Sequence, residues 1–358
     1  MTATKNVSRG AAALALLRAR WLLYVAIGAV AYLLPSVFGG GSLAYETLVL
    51  VAIFAIMAYG ADFVLSYLGE VSLGHTLFFA AGAYITAIAA TKWGFSTLAT
   101  LGASLVLTVV LALIVGLFTL RTSAFVFSLV TYGSAFIALT VVANTPFLGG
   151  TDGIVSIPPM ELPAFGGSYV ALTPEQIWPI AFACLALVVF FVSRFRRSRL
   201  GVSATMVQSN RPLAASLGID AGRTRLMVFV ISAPVSAIAG WLYAYLRSYV
   251  SLNLFEPYFL LLMLTAIILP GRRQLLGPII GTAILVLQQQ LFSLGAHGDD
   301  IVLGIVLTVV LVLWPGGLAG IATSIRERLA ERRRRAAEEG PVRGDAPDHE
   351  QELAEVRE

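Results

Sequence analysis

The chain has 358 residues, of which 58% are hydrophobic and only 12% are charged, and its mean hydropathy is +0.85. Because ordinary soluble domains carry roughly 25% charged residues, this composition excludes a soluble globular protein and indicates an integral membrane protein. The net charge of +4 identifies no partner by itself, and the single cysteine, Cys184, excludes an internal disulfide and a thiol-based metal site.

The apolar runs are long and lack the alternation of strands, so they predict an all-α, polytopic transmembrane helical bundle. A basic N-terminus, residues 1–20, leads into the first run. Ala29-Val30-Ala31 there resembles a signal-peptide cleavage site, but the run continues past it, which favours an uncleaved span. Two runs are short of apolar residues, so the predicted number is about ten spans, with a range of eight to ten. The predicted spans lie near residues 21–38, 44–64, 73–91, 95–118, 123–143, 177–193, 226–246, 254–270, 275–294 and 301–321.

The charge of the loops orients this bundle, since cytoplasmic loops are enriched in Lys and Arg. Of the 24 basic residues, all but Lys92 and Arg247 fall on one side of the ten-span arrangement. Both termini are therefore predicted to be cytoplasmic. The transmembrane domain would occupy residues 21–322, and the charged tail, 323–358, would be a partly disordered cytoplasmic segment.

One stretch, SYLGEVSLGHTLFFAAGAY from Ser66 to Tyr84, places ionisable groups and glycines inside an apolar region. An ionisable group at the centre of a membrane helix costs about 2.5–3.5 kcal/mol, so such groups usually face water or a partner. Glycines permit a broken helix, which is tolerated where it is buried in protein or lines a cavity. The stretch is therefore predicted to belong to a translocation path. The predicted members in this region are Asp62, Gly69, Glu70, Ser72, Gly74 and His75.

Three other interpretations of these residues stay open. Asp62, Glu70 and His75 could carry protons in an ion-coupled carrier that works alone. Ser72 and His75, three residues apart, could be the nucleophile and base of a membrane hydrolase, but no third orienting group is identifiable. Glu70 and His75 could instead only hydrogen-bond across helices and support a broken segment.

The sequence offers neither a P-loop nor a metal site. A P-loop needs Gly-Lys-Ser/Thr, and neither Lys5 nor Lys92 follows a glycine. His297 and His349 lie far from His75, so no two histidines can share a helix face as zinc ligands. We therefore predict no cofactor and no metal in this chain.

The outer loop, residues 144–176, is rich in glycine and proline, which favour an extended path and interrupt helices. It could cap the pathway, meet an external partner or merely join two halves of the chain.

The inner loop, residues 194–225, is longer than the 2–8 residues that usually connect helices in a bundle. It is predicted to hold a short amphipathic helix, with Ser209 or Asn210 as the N-cap and Gly218 as the stop. Such a helix would dock another protein, although a basic loop lying on anionic lipid is an alternative.

Five ordered motifs resemble those of a known family. They are GEVSLGHTLFFAAGAY at 69–84, FLGGTDGI at 147–154, NRPLAASLGI at 210–219, LLGPIIGTAILV at 275–286 and PGGLAGI at 315–321. Over roughly residues 45–322 the chain is similar to the longer permease subunit of branched-chain amino-acid importers of the ATP-binding-cassette class.

The resemblance implies a multi-pass protein of the bacterial inner membrane that works with a second permease, two cytoplasmic ATPase subunits and an external binding protein. ATP would be bound by the partners, and no nucleic acid is involved. The implied substrates are leucine, isoleucine and valine, with urea, short amides or other amino acids in related members. Two further implied pathway residues are Thr151 and Asp152. The implied contacts with the ATPase are Asn210, Leu213, Ala214, Ala215, Leu217 and Gly218.

The sequence departs from the family pattern at three places. Glu70 stands where glutamine is common, so it would add a charge to the path or pair with His75. Arg211-Pro212 stands where the family usually has acidic residues, which predicts an acidic docking partner. Pro270-Gly271-Arg272-Arg273 replaces a glycine-rich turn.

Overall fold

The computed structural model describes residues 40–119, 122–164 and 167–291, together with a few positions between 28 and 36 and between 298 and 309. Apart from those positions, the predicted spans near 21–38 and 301–321 lie outside the described residues. The basic N-terminus and the charged tail lie outside them as well.

The described chain is mostly helical. The eight predicted spans from 44–64 to 275–294 each coincide with a helix whose ends differ by at most five residues from the prediction. Five of the described helices, α1, α3, α4, α5 and α8, are long and apolar enough to cross a membrane. The helices are α1 Ser42–Tyr67, α2 His75–Thr91, α3 Thr97–Thr119, α4 Ala124–Ala143, α5 Pro174–Phe195, α6 Arg199–Ser209, α7 Arg211–Ser216, α8 Ala221–Arg247, α9 Pro257–Ile268 and α10 Gly277–Leu291.

The long helices run in alternating directions between two ends of the bundle. At the arginine-rich end, where α1 ends and α2 begins, Arg225 donates to the carbonyl oxygen of Thr122 at 3.2 Å. The opposite end of the bundle carries the outer loop, residues 144–176, and we call it the hairpin end. Arg247 pairs there with Glu46 at 2.7 Å. Lys92 also lies there, bonded to a carbonyl oxygen of the outer loop. The two basic residues assigned to the outer loops therefore share one end of the bundle.

Helix α1 forms the centre, because nearly all of it is buried by α5, α8, α9 and α10. Helix α8 packs across α1, α2 and α3, and its approach to α2 is close at Gly240. A Cβ built on Gly240 would lie 2.0 Å from the carbonyl oxygen of Phe79. Glycine is therefore needed there to bring the two backbones together. In contrast, α3, α4 and α5 leave wide apolar faces exposed, as lipid-facing helices do.

The described chain is mostly helical, as predicted, and it also contains four short strands. Strand β1, Ile154–Val155, pairs antiparallel with β4, Tyr249–Val250, and β2, Met160–Ala164, pairs antiparallel with β3, Gly167–Ala171. Prolines hold the outer loop extended, and an extended segment that cannot become helical satisfies its backbone groups by pairing with a neighbouring strand. The β1–β4 pair joins the outer loop to the segment after α8.

The inner loop contains two helices rather than one. Helix α6 was not predicted, and it ends at Ser209, so Ser209 is not the cap of the next helix. The N-cap of α7 is Asn210, whose Oδ1 accepts a hydrogen bond from the backbone N–H of Leu213 at 3.0 Å. Gly218, with φ of +79°, follows α7 and permits the left-handed turn out of it. The predicted short helix and its stop are therefore confirmed.

Candidate functional site

The turn between α1 and α2, residues 68–74, is held against α4. Gly69 has φ of +70°, a value that favours glycine, so the chain leaves α1 abruptly. The hydroxyl of Ser128 donates to the carbonyl oxygen of Val71 at 2.5 Å. A Cβ built on Gly74 would lie 2.4 Å from the carbonyl oxygen of Thr131. Glu70, Ser72 and Gly74 of this irregular turn are thus buried against protein, as unwound backbone in a membrane protein usually is, whereas Gly69 is exposed.

Glu70 lies in this turn, and its carboxylate is bound by two arginines. Arg225, in the first turns of α8, spans both oxygens, with Nε 2.9 Å from Oε1 and Nη2 2.9 Å from Oε2. Arg211, the first residue of α7, places Nη2 2.8 Å from Oε1. Glu70 therefore does not pair with His75, and the charge that it adds is matched by two guanidinium groups. Arg211 is also engaged within the chain, which weakens the prediction that it meets an acidic docking partner.

His75 begins α2 and is completely buried. Its Nε2 lies 2.9 Å from Oγ of Ser232 on α8, and its Nδ1 lies 2.8 Å from Oγ of Ser72. The hydroxyl of Ser232 is also 2.6 Å from the carbonyl oxygen of Phe229, to which it can donate, so we assign the ring proton to Nε2, which donates to Ser232. A neutral ring then accepts from the hydroxyl of Ser72 through Nδ1. Every polar group in this cluster is paired without a net charge.

Asp62 is buried in α1 and belongs to a separate network. Its Oδ1 accepts from the hydroxyl of Ser66, one helical turn later, at 2.5 Å. Arg273, in the turn between α9 and α10, donates through its backbone N–H to Oγ of Ser66 at 3.1 Å and through Nε to the carbonyl oxygen of Ser66 at 2.9 Å. The guanidinium of Arg273 also donates to Oε1 of Gln208 near the end of α6. Asp62 is therefore connected to α6 rather than to His75.

Thr151 and Asp152 lie at the other end of the bundle from Glu70. Both are exposed, and the carbonyl oxygen of Asp152 is 3.4 Å from the hydroxyl of Tyr249. The 17 residues of α2 separate the two ends by roughly 25 Å. The predicted pathway residues therefore occupy three places: the arginine-rich turn, the buried cluster around His75, and the outer loop.

The contacts of Asp62, Glu70, Ser72 and His75 can be compared with the proton-relay and hydrolase interpretations of the sequence. The hydrogen-bond partners of Asp62, Glu70 and His75 are different groups, so the three do not form one hydrogen-bonded proton relay. Ser72 and His75 are in contact, as a nucleophile and base would be, but the other nitrogen of His75 is bound by a serine hydroxyl rather than a carboxylate. Within the described part of the chain, no group of three or more His, Cys, Asp or Glu residues could hold a metal ion.

The predicted docking residues are mostly exposed. Leu213 and Leu217 are four residues apart and are 58% and 64% exposed, whereas Ala214 between them is buried against the bundle. Asn210, Ala215 and Gly218 are exposed as well. Helix α7 thus rests on the protein through one small residue and presents two leucines outward.

Four residues that hold these elements in place were not predicted to do so from the sequence: Ser232, Arg225, Gln208 and Arg273. Arg225 was counted only as a loop charge, although it lies in α8 and is buried. The usable signal is the ten-span arrangement, in which the segment between the spans 44–64 and 73–91, with Glu70, falls on the same side as the arginines of residues 194–225. A buried carboxylate there requires a cation, and the nearest helix ends supply it.

The family model and the relatives that match this chain all come from branched-chain amino acid transport systems. A family model described as the permease component of branched-chain amino acid transport systems matches residues 43–311. The high-affinity branched-chain amino acid transport system permease protein LivM of Salmonella typhimurium is 24% identical over 319 residues, covering 83% of this chain and 74% of the relative, and LivM of Escherichia coli K12 has the same identity and coverage. The permease protein LivH of Escherichia coli K12 is 32% identical over 151 residues, covering 40% of this chain and 46% of the relative. No solved structure matches the chain.

Proposed function

Because the chain belongs to the family of permease components of branched-chain amino acid transport systems, we propose that it is a permease subunit of an ATP-driven importer of branched-chain or related hydrophobic amino acids. The observation that carries the proposal is the extent of the family match, which runs through the whole described bundle from α1 to α10. Similarity to both LivM and LivH, which are named as permeases of such a system, supports assembly with a second permease. The chain itself is a transport subunit and not an enzyme.

The arginine-rich end would face the cytoplasm. The basic residues of 194–225 and 272–273 gather there, and only Lys92 and Arg247 lie at the hairpin end among the described residues. This distribution follows the positive-inside rule. With the segments near 21–38 and 301–321 as further spans, the chain would cross a bacterial inner membrane about ten times and have both termini in the cytoplasm. The hairpin end would then meet an external binding protein.

Helix α7 would connect the permease to an ATPase subunit, and ATP would be bound by that partner rather than by this chain. Leu213 and Leu217 form an exposed apolar pair outside the bundle, and Val202 and Met206 add exposed apolar side chains on α6. Such a pair on a short helix is suited to insertion into a groove of a partner. Movement of the ATPases would reach the transport helices through α7.

The translocation path would follow α2 and α8. The hydroxyl and imidazole groups of Ser72, His75 and Ser232 lie between these helices and are neutral as paired. The proposal of an aliphatic substrate rests on the family match and not on these polar groups. Relatives that carry urea, short amides or other amino acids are the alternative within the same family.

The proposal is tested by uptake of labelled leucine, and separately of labelled urea, into vesicles that contain the chain with its second permease, ATPases and binding protein. We expect leucine uptake that requires ATP. Uptake that persists without ATP, or that follows a proton gradient, would favour a carrier acting alone. ATP-dependent uptake of urea but not of leucine would reassign the substrate.

A variant in α7 tests the proposed docking contact. Leu213→Glu places a charge on an exposed apolar position, so the chain should fold, but the ATPase subunits should no longer co-purify with it. Leu172→Glu, which changes an exposed leucine at the hairpin end, is the matched control and should retain the ATPase subunits. Equal retention of ATPase by both variants would show that Leu213 is not part of the contact.

A further inference from the structure

The two cytoplasmic helices α6 and α7 meet at Asn210, and a side chain on each side of this elbow is attached to the bundle. On the α6 side, Gln208 accepts a hydrogen bond from Arg273 in the turn between α9 and α10. On the α7 side, Arg211 donates to Glu70 in the turn between α1 and α2. The elbow is therefore fastened to two turns of the bundle that are far apart in sequence.

The two arginines on Glu70 differ in a way that suggests different roles. Arg225 has a side chain that is only 9% exposed, and it binds both carboxylate oxygens. Arg211 is 48% exposed and reaches a single oxygen. If Arg211 moved away, both oxygens of Glu70 would keep a bond to Arg225, so no buried charge would lose its partner. The Arg225 pair is thus a fixed contact, and the Arg211 pair can open at low cost.

Because of its position in the chain, Glu70 can transmit a force on its carboxylate to the start of α2. Glu70 is two residues before Ser72 and five before His75, in an irregular turn that has few internal hydrogen bonds of its own. A pull on its carboxylate therefore acts on the first turn of α2, where His75 packs against α8. Arg211 is the first residue of α7 and contacts Glu70 directly, so a displacement of α7 can act on Glu70 through this side chain.

We propose that Arg211 is a positioning residue that transmits displacement of α7 to the turn between α1 and α2, through an ion pair with Glu70 that opens and closes while Arg225 stays bound. This inference rests on the proposed function, because it takes α7 as the helix moved by the ATPase. In this proposal the displacement of α7 is transmitted by the Arg211–Glu70 ion pair, which can open, while Glu70 stays paired with Arg225.

The test uses the complete importer in vesicles, with leucine uptake and ATP hydrolysis measured on the same sample. In Arg211→Ala we expect an assembled complex that still hydrolyses ATP but imports less leucine per ATP, by roughly 2- to 30-fold, the range that residues coupling two sites contribute. Arg211→Lys, which keeps the charge but not the planar guanidinium, should be intermediate. Arg199→Ala is the matched control, because Arg199 is an exposed arginine at the start of α6 whose side chain has no hydrogen bond to the described residues.

A second measurement follows the turn itself. Amide exchange of residues 69–74 should respond to ATP in the wild-type complex and in Arg199→Ala, and should no longer respond in Arg211→Ala. An unchanged ratio of leucine to ATP, or an equal exchange response in Arg211→Ala, would overturn the proposal. A parallel loss of assembly and hydrolysis would also overturn it, because Arg211 would then only hold the complex together. If the wild-type complex imports no leucine, the proposed substrate is wrong, and the exchange response still decides the role of Arg211.

Discussion

Replacing Gly240 by alanine should separate α8 from α2 and destabilise the bundle. A Cβ at this position would lie 2.0 Å from the carbonyl oxygen of Phe79 and 2.8 Å from the backbone nitrogen of Ala83. The first distance is about 1.4 Å less than the 3.4 Å at which ordinary contact begins. Both obstacles are backbone atoms of a buried helix, so no side chain can rotate away and the helices themselves must move. Overpacking of this kind costs about 1–3 kcal/mol, and occasionally more.

The matched control is Gly102→Ala on α3. A Cβ there meets no atom within 4 Å, so the substitution adds no clash and gains about 0.5–1 kcal/mol from the better helix propensity of alanine. The two single-methyl changes should therefore shift stability in opposite directions. The assay is the temperature at which the detergent-purified chain loses its monodisperse peak, measured on both variants and the wild type. Equal midpoints for the two variants would refute the inference that the α2–α8 approach requires glycine.

Two further changes test the polar clusters through the free energy of unfolding in mild denaturant. Ser232→Ala removes the hydroxyl that lies 2.9 Å from Nε2 of buried His75 and should cost about 1–3 kcal/mol. Ser232→Thr, which keeps the hydroxyl, should recover part of the loss, and a threonine variant as unstable as the alanine variant would contradict the hydrogen-bond explanation. Arg225→Met leaves Oε2 of Glu70 without its partner, while Arg211 still binds Oε1, and should cost about 1–3 kcal/mol. Arg211→Met should cost clearly less, and equal losses in the two methionine variants would mean that the arginines share Glu70 evenly.

The helices could be predicted because the apolar runs are long, and in a membrane every buried backbone group must be bonded within its own segment. The cap of α7 could also be predicted, since Asn210 and Gly218 are local signals. Helix α6 was missed because its sequence, RLGVSATMVQS, mixes polar and apolar residues and begins with an arginine. Its local signals were nevertheless present, since the Ser198 hydroxyl caps it by accepting from the N–H of Gly201 and its buried residues, Gly201, Ala204 and Val207, recur every third residue.

The partners of Glu70 could not be predicted from local sequence. His75 is five residues away and was the obvious candidate, whereas Arg211 and Arg225 are 141 and 155 residues away. A sequence states which side of the membrane a residue favours but not which of several arginines on that side reaches a given carboxylate. The same limit applies to β1 and β4, because the prolines of the outer loop favour an extended chain without indicating what pairs with it.

The central position of α1 has a consequence for how the chain is assembled during synthesis. Helix α1 is made early, yet α8, α9 and α10, which surround it, leave the ribosome much later. Because its surface is apolar, α1 can remain in the lipid before these helices are synthesised. Asp62 has one hydrogen-bond donor at that stage, the hydroxyl of Ser66 on the same helix.

Glu70 has no such local partner. At a synthesis rate of about 5–20 residues per second, Arg211 follows Glu70 by roughly 7–30 s. During that interval the carboxylate remains at the aqueous surface, and the turn between α1 and α2 cannot reach its final depth. The arrival of Arg211 and Arg225 therefore completes the burial of a segment synthesised some 140 residues earlier. A nascent chain truncated before Arg211 would leave this turn accessible to water.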